Sequence, residues 1–146
     1  MKVFATGIFD LFHFGHANAF QQIKEAFPDC TLVVGCLSDK TAERIKRKPI
    51  MTYEERVKSI SYCKFVDEVI EDPWSPDMTP EEQLQNIIDN NFDFFAHEDH
   101  LTKYDIFKNA GKFFKINYTK EISTTEIIKR VTSSKVNSCA CLGNTT

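Results

Sequence analysis

His13 and His16 stand three residues apart in Gly7-Ile8-Phe9-Asp10-Leu11-Phe12-His13-Phe14-Gly15-His16, between an apolar run and a helical pattern. Near a helix start, side chains at that spacing point the same way. The free backbone N–H groups and positive dipole end of such a terminus receive phosphate. Imidazole N–H donors placed there would oppose the charge that builds on a phosphorus under attack. Gly15 leaves space for a triphosphate to approach the backbone. One histidine alone would read as a half-buried, hydrogen-bonded side chain, but the whole string points to phosphate chemistry. His97 and His100 repeat the spacing, so two histidine pairs at one sheet edge leave a metal-binding module as a reading of a different class.

The surrounding pattern supplies the elements that must hold these residues. Val3 to Ile8 is an apolar run of strand length, and Phe20, Ile23 and Phe27 then recur at helical spacing until Pro28-Asp29. Thr31 to Leu37 is unbroken and apolar, the type buried on both faces of a parallel sheet, and ends at Ser38-Asp39. Lys40, Arg44, Lys46, Arg47 and Lys48 crowd before Pro49, a basic stretch in an acidic chain that reads as a phosphate-facing loop. Thr52 caps a helix with Val57, Ile60 and Cys63 on its apolar side. Val66 to Ile70 is a short strand, and Thr79-Pro80-Glu81-Glu82 starts a further helix. Phe92 to Ala96 is a strand ending at His97-Glu98-Asp99-His100. A short helix follows, closed by Gly111, then a strand from Lys112 to Asn117, and Ser123-Thr124-Thr125-Glu126 matches a capping box. Alternating strands and helices predict one α/β domain over residues 1–132, Rossmann-like, with a parallel five-stranded sheet flanked by helices. Ligands in such sheets bind beyond the strands' C-terminal ends, where Gly7 to His16, Ser38 to Lys46, Pro73-Trp74 and His97 to Asp99 should converge. Residues 133–146 are small and polar and read as a frayed tail.

Composition narrows the partners. Eighteen basic against 21 acidic residues, a formal charge of -3, offer no broad electropositive surface for nucleic acid, so any anion site is local. No apolar run approaches the ~20 residues that span a bilayer, and the N-terminus lacks a signal peptide's apolar core, which predicts a cytoplasmic protein without a stable membrane anchor. Five cysteines, an odd number, fit a reduced compartment. Cys139 and Cys141, two thiols in a polar tail, fall short of a zinc ligand set.

The Gly7-to-His16 string resembles the His-x-Gly-His signature of the cytidylyltransferase superfamily, and its longer form is similar to the choline-phosphate branch. The resemblance runs from about Lys2 to Val131. It includes Leu32 to Gly35, Ser38-Asp39, Glu55-Arg56, Val66 to Val69, Pro73-Trp74, Ala96-His97 and Ile122 to Thr125. It implies transfer of CMP from CTP to phosphocholine, with Mg²⁺ carried mainly by CTP, no protein metal cage and a homodimer. His13, His16, Lys46 and Arg56 would be catalytic, with Lys46 bridging both substrates' phosphates and Arg56 a guanidinium clamp. For Arg56, spacing alone leaves a helix-surface ion pair equally open. Gly7, Ile8, Phe9, Asp10, Gly15, Asp39, His97, Thr119, Lys120, Ser123 and Thr124 would line the nucleotide site. Trp74, with Glu98 or Asp99 and with Tyr104 as a candidate second aromatic, would select the quaternary ammonium, which cannot donate hydrogen bonds. A Trp packed beneath a loop is the plainer alternative.

Two departures shape the remaining expectations. The family's threonine after the first glycine is Ile8 here. Its Arg-Thr-Glu-Gly run before Ile-Ser-Thr is Tyr118-Thr119-Lys120-Glu121, which removes a phosphate-binding arginine for which Lys120 would be a point-charge substitute. Phosphoethanolamine or glycerol 3-phosphate as acceptor, adenylyl transfer, and a catalytically silent nucleotide-binding regulator are the competing outcomes. The long amphipathic helix of many choline-branch enzymes does not follow Val131, so lipid activation is not expected.

Overall fold

The computed structural model describes residues 1–71 and 73–133; the calls on the tail beyond Ser133, including Cys139 and Cys141, lie outside the described residues. Five strands, β1 (Lys2–Gly7), β2 (Thr31–Cys36), β3 (Glu68–Glu71), β4 (Phe94–Glu98) and β5 (Phe113–Ile116), form one sheet in the order β3-β2-β1-β4-β5. Every pairing is parallel. Six helices connect and flank them: α1 (Phe14–Ala26), α2 (Asp39–Ile45), α3 (Tyr53–Ser61), α4 (Pro80–Asp89), α5 (Asp105–Asn109) and α6 (Thr124–Val131). This is an α/β Rossmann-like fold. The chain turns from one half of the sheet to the other between β1 and β4, and a ligand crevice opens at the strand ends there.

The period of two along the strands divides the interior. Val3, Ala5, Leu32, Val34, Cys36 and Ala96 face one side, where Phe20 and Ile23 of α1 and Ile60 of α3 cover them. Phe4, Val33 and Phe95 face the other, against Trp74, Ile87 of α4 and Phe107 of α5. The central strands are therefore buried on both faces, as their unbroken apolar runs require.

Local signals placed most elements well. The Thr52–Glu55 and Thr79–Glu82 pairs both form reciprocal capping boxes, and Gly111, at φ 68°, closes α5. The basic stretch is a correction: it is not a loop along its whole length. Ser38 Oγ accepts the Thr41 N–H at 3.2 Å and starts α2, whose Ala42 is buried, so the loop begins only at Lys46. The strand expected from Val66 starts at Glu68, and β4 extends two residues beyond Ala96, so His97 and Glu98 end a strand. Phe27 is the C-cap of α1 and packs on Phe94 of β4 and Phe114 of β5.

Candidate active site

A cleft of about 590 Å³ opens where β1 and β4 end. Its walls come from the loop after β1, the first turns of α1 and α6, the loop after α2, the 74–76 loop and the end of β4 with the segment that follows. Most sequence-derived candidates meet here: Gly7, Ile8, Phe9, Asp10, His13, Gly15, His16, Lys46, Trp74, His97, Glu98, Tyr104, Thr119, Ser123 and Thr124.

The two signature histidines form the N-terminal cap of α1 themselves. His13 is the N-cap residue, and its Nδ1 accepts the Gly15 N–H at 3.0 Å, while the Nδ1 of His16 accepts the His13 N–H at 3.1 Å. The rings stack at 3.8 Å between centroids. An Nδ1 that accepts carries no proton, so each neutral ring keeps its N–H on Nε2. Burial lowers the pKa of both rings. For His16, with His13 and Lys46 as further causes, the value falls to about 3. At neutral pH the pair is two uncharged Nε2–H donors. The same geometry opposes the metal-module reading, because one nitrogen of each ring is committed to the helix cap. Among the described residues no group of three or more His, Cys, Asp or Glu is placed to hold a metal ion. Gly15 proves necessary for a reason beyond room for a ligand: a Cβ there would lie 2.8 Å from His13 Cε1, inside the capping ring.

The loop that carries this pair is strained and braced. Phe9 and Leu11 adopt positive φ, 56° and 49°, which costs non-glycine residues energy and persists only where surrounding contacts impose it. Asp10, 4% exposed, accepts the N–H groups of Ile50 (2.8 Å) and Met51 (2.9 Å) on its two carboxylate oxygens, and its carbonyl accepts Thr124 Oγ1 at 2.8 Å. Asp10 thus lines the cleft as a brace between three segments.

Arg56 requires a correction. It is neither a surface ion pair nor a wall of the cleft, but 0% exposed. Its Nη1 donates to the carbonyls of Ile8 (2.7 Å) and Leu37 (2.8 Å), and its Nη2 to Asp39 Oδ1 (2.6 Å). The guanidinium ties the end of β1 to the end of β2, and Asp39, absent from the cleft lining, neutralises it. Both residues position the loop from behind. Lys46, by contrast, stands exposed on the cleft wall, close enough to His16 to contribute to its lowered pKa.

The opposite end of the cleft is aromatic. Trp74 is 6% exposed, packed at 5.3 Å from Phe4 and 5.0 Å from Phe95, with Nε1 donating to Asn86 Oδ1 at 3.2 Å. It is a core residue that also lines the cleft. Tyr104, also 6% exposed, lies 5.0 Å from the His97 ring and stacks on Phe113, and burial raises its hydroxyl to about 12. Burial pushes His97 down to about 4. Of the two carboxylate candidates, Glu98 faces the cleft, whereas Asp99 accepts Lys108 Nζ at 2.7 Å and lines only a neighbouring hollow. Lys120 lines that hollow too and not the main cleft, so it does not stand where the absent arginine's substitute was expected.

Several lining residues escaped the sequence reading as site residues: Arg47, Lys103, His100, Asn117 and Tyr118. The basic run before Pro49 was the available signal for Arg47. His100 was read only as half of a metal-binding pair and Tyr118 only as a departure from the family run, while Lys103 and Asn117 sit in segments without a motif.

Comparison with known proteins identifies the family. A family model described as cytidylyltransferase-like matches residues 4–130. The chain is 42% identical over 142 residues to choline-phosphate cytidylyltransferase 2 of Arabidopsis thaliana, covering 90% of this chain and 44% of that protein. It is 37% identical over 138 residues to the ethanolamine-phosphate cytidylyltransferase of Dictyostelium discoideum, covering 90% of this chain and 36% of that one. The chain therefore spans less than half the length of these relatives. A crystal structure of a lipopolysaccharide core biosynthesis protein from Thermoplasma volcanium superposes with TM-score 0.62 at 22% identity, over 82% of this chain and 98% of that one, which is a likeness of fold.

Proposed function

Because the chain belongs to the cytidylyltransferase-like family, we propose that it transfers CMP from CTP to phosphocholine, giving CDP-choline and pyrophosphate. The observation that carries this is the pair of neutral Nε2–H imidazoles capping α1 beside Lys46. An oxygen of the acceptor phosphate attacks the α-phosphorus of CTP in line, and the bond to the bridging oxygen of pyrophosphate breaks. No enzyme nucleophile takes part. His13 and His16 donate to the phosphate oxygens as charge builds on them, and Lys46 follows charge between the two substrates. Mg²⁺ would be held mainly by CTP and would neutralise charge on its phosphates, since of the two carboxylates lining the cleft Asp10 is engaged by the Ile50 and Met51 N–H groups and Glu98 stands by the aromatic end.

Trp74, Tyr104 and Glu98 favour a quaternary ammonium, through aromatic faces and one carboxylate without a demand for hydrogen bonds. Phosphoethanolamine is the second reading, because Glu98 would also pair with a primary ammonium and a relative of that name matches the chain. A cytoplasmic setting fits the free thiols of Cys30 and Cys63, and among the described residues no helix is long and apolar enough to cross a membrane. A homodimer fits the exposed Phe14 and Ile50 around the histidine loop.

Incubating the protein with Mg²⁺, CTP and, separately, phosphocholine, phosphoethanolamine and glycerol 3-phosphate, with mass spectrometry of the products, tests the reading. CDP-choline formed fastest supports it. Another CDP-alcohol moves the acceptor assignment, and CTP binding without product identifies a silent regulator.

A further inference from the structure

Tyr118 lines the cleft without a charge, and Lys120 faces the neighbouring hollow. The cleft nevertheless holds a guanidinium, delivered from the opposite bank. Arg47 follows Lys46 in the loop after α2, and its backbone N–H is fixed on the Ala42 carbonyl at 3.1 Å. Its side chain crosses to the first turn of α6, where Nη1 donates to Thr125 Oγ1 at 3.3 Å. It lines the same cleft as His13, His16, Ser123 and Thr124.

Three features distinguish this arginine from a solvated one. Its Nε, like that of Arg56, is buried and finds no hydrogen-bond partner among the described residues, a condition native proteins rarely leave unanswered. No carboxylate among the described residues pairs with it, whereas Arg44 has Asp77 and Arg56 has Asp39. Its one side-chain bond among the described residues is long and goes to a neutral hydroxyl. A guanidinium partly withdrawn from water, with a free donor and beside a helix N-terminus, lacks an anion.

We propose that Arg47 is a phosphate ligand for the nucleotide, gripping triphosphate oxygens over the first turn of α6 and supplying from the 46–50 loop the fork that position 118 lacks. This rests on the cytidylyl-transfer reading for its substrate. It adds that the loop is ordered by the nucleotide, because its own arginine completes the site.

The test measures the Kd for CTP by calorimetry alongside the KM for CTP and for phosphocholine, with a thermal melt of each variant as a folding control. Arg47→Ala should raise the Kd and KM for CTP by 10- to 100-fold and leave the KM for phosphocholine within threefold. Arg47→Gln, which retains bulk and a polar end, should show most of the same loss, and Arg47→Lys should recover only part of it. Thr125→Val, which removes the side-chain bond of Arg47 to Thr125 but no charge, should stay within threefold. Tyr118→Arg in the Arg47→Ala background should restore at least tenfold of CTP affinity. Arg47→Ala within threefold of the parent, a Thr125→Val loss equal to it, or no recovery by Tyr118→Arg would overturn the assignment. If the parent binds CTP but makes no CDP-alcohol, the reaction reading fails while the Kd series still judges Arg47. If the parent binds no CTP, both fall.

Discussion

The two ends of the cleft are built by different means. At the proposed phosphate end, a continuous ten-residue string makes its own cap, and Asp10 and Arg56 brace it with hydrogen bonds reaching 40 to 114 residues along the chain. At the proposed acceptor end, Trp74 and Tyr104 belong to a hydrophobic core with Phe4, Phe95, Phe107 and Phe113 and also line the cleft. Polar bracing fixes where charge is met, while aromatic packing only shapes a surface. Substitutions should thus damage the first end abruptly and the second by degrees.

The largest effect should come from the brace itself. Arg56→Ala strips the Ile8 and Leu37 carbonyls of a buried donor and opens a void, and should destabilise the fold by about 3–5 kcal/mol, read as a lowered denaturant midpoint. A loss under ~1 kcal/mol would mean that the phosphate end is not held from behind. Next, His16→Ala should lower kcat by about 10²–10³ with CTP still bound measurably, the loss usual for one donor to a developing oxyanion. Turnover within threefold of the parent would remove the imidazole pair from the chemistry.

Acid should sharpen the comparison further. His16 and His97 are held neutral in the fold, with pKa values of about 3 and about 4, while unfolded imidazoles titrate near 6.5. The unfolded chain therefore binds more protons below that pH. Stability is full above pH ~6.5 and falls as pH drops toward 4, by about 2 kcal/mol between pH 6 and 5 for the two rings together. Urea melts across that range measure it, and a flat profile would show that the histidines are not buried neutral. The smallest effect belongs to the aromatic end: Trp74→Phe should raise the KM for phosphocholine about threefold to tenfold, in line with a cation–π contact of ~0.5–2 kcal/mol. An unchanged KM would leave Trp74 as core alone.

How far each part could be read from the sequence follows the same division. Capping boxes at Thr52 and Thr79 depend on residues three apart, so α3 and α4 were legible locally. The alternating and unbroken apolar runs gave the parallel sheet. His13 as a cap was not legible, because capping preferences favour Ser, Thr, Asp and Asn. The burial of Arg56 was hidden for a different reason. A charged residue on a helix with glutamates beside it reads as surface, and only the fold brings the Ile8 and Leu37 carbonyls and Asp39 to it. Arg47 was visible as one of five basic residues, but which of them turned inward depended on α2 ending at Ile45 and on α6 lying opposite.

The proposed reaction depends most on two neutral imidazoles whose Nδ1 atoms are held by the α1 cap and whose Nε2–H groups would meet the nucleotide. Long-range ¹H–¹⁵N spectra of the histidine side chains, recorded from pH 5 to 8 with and without Mg²⁺ and CTP, test it directly. The account predicts that His13 and His16 remain Nε2–H tautomers from pH 6.5 upward, that His16 does so over the whole range, and that CTP shifts the Nε2 resonances. A His16 ring that titrates near 6.5, carries its proton on Nδ1, or ignores bound CTP would contradict it.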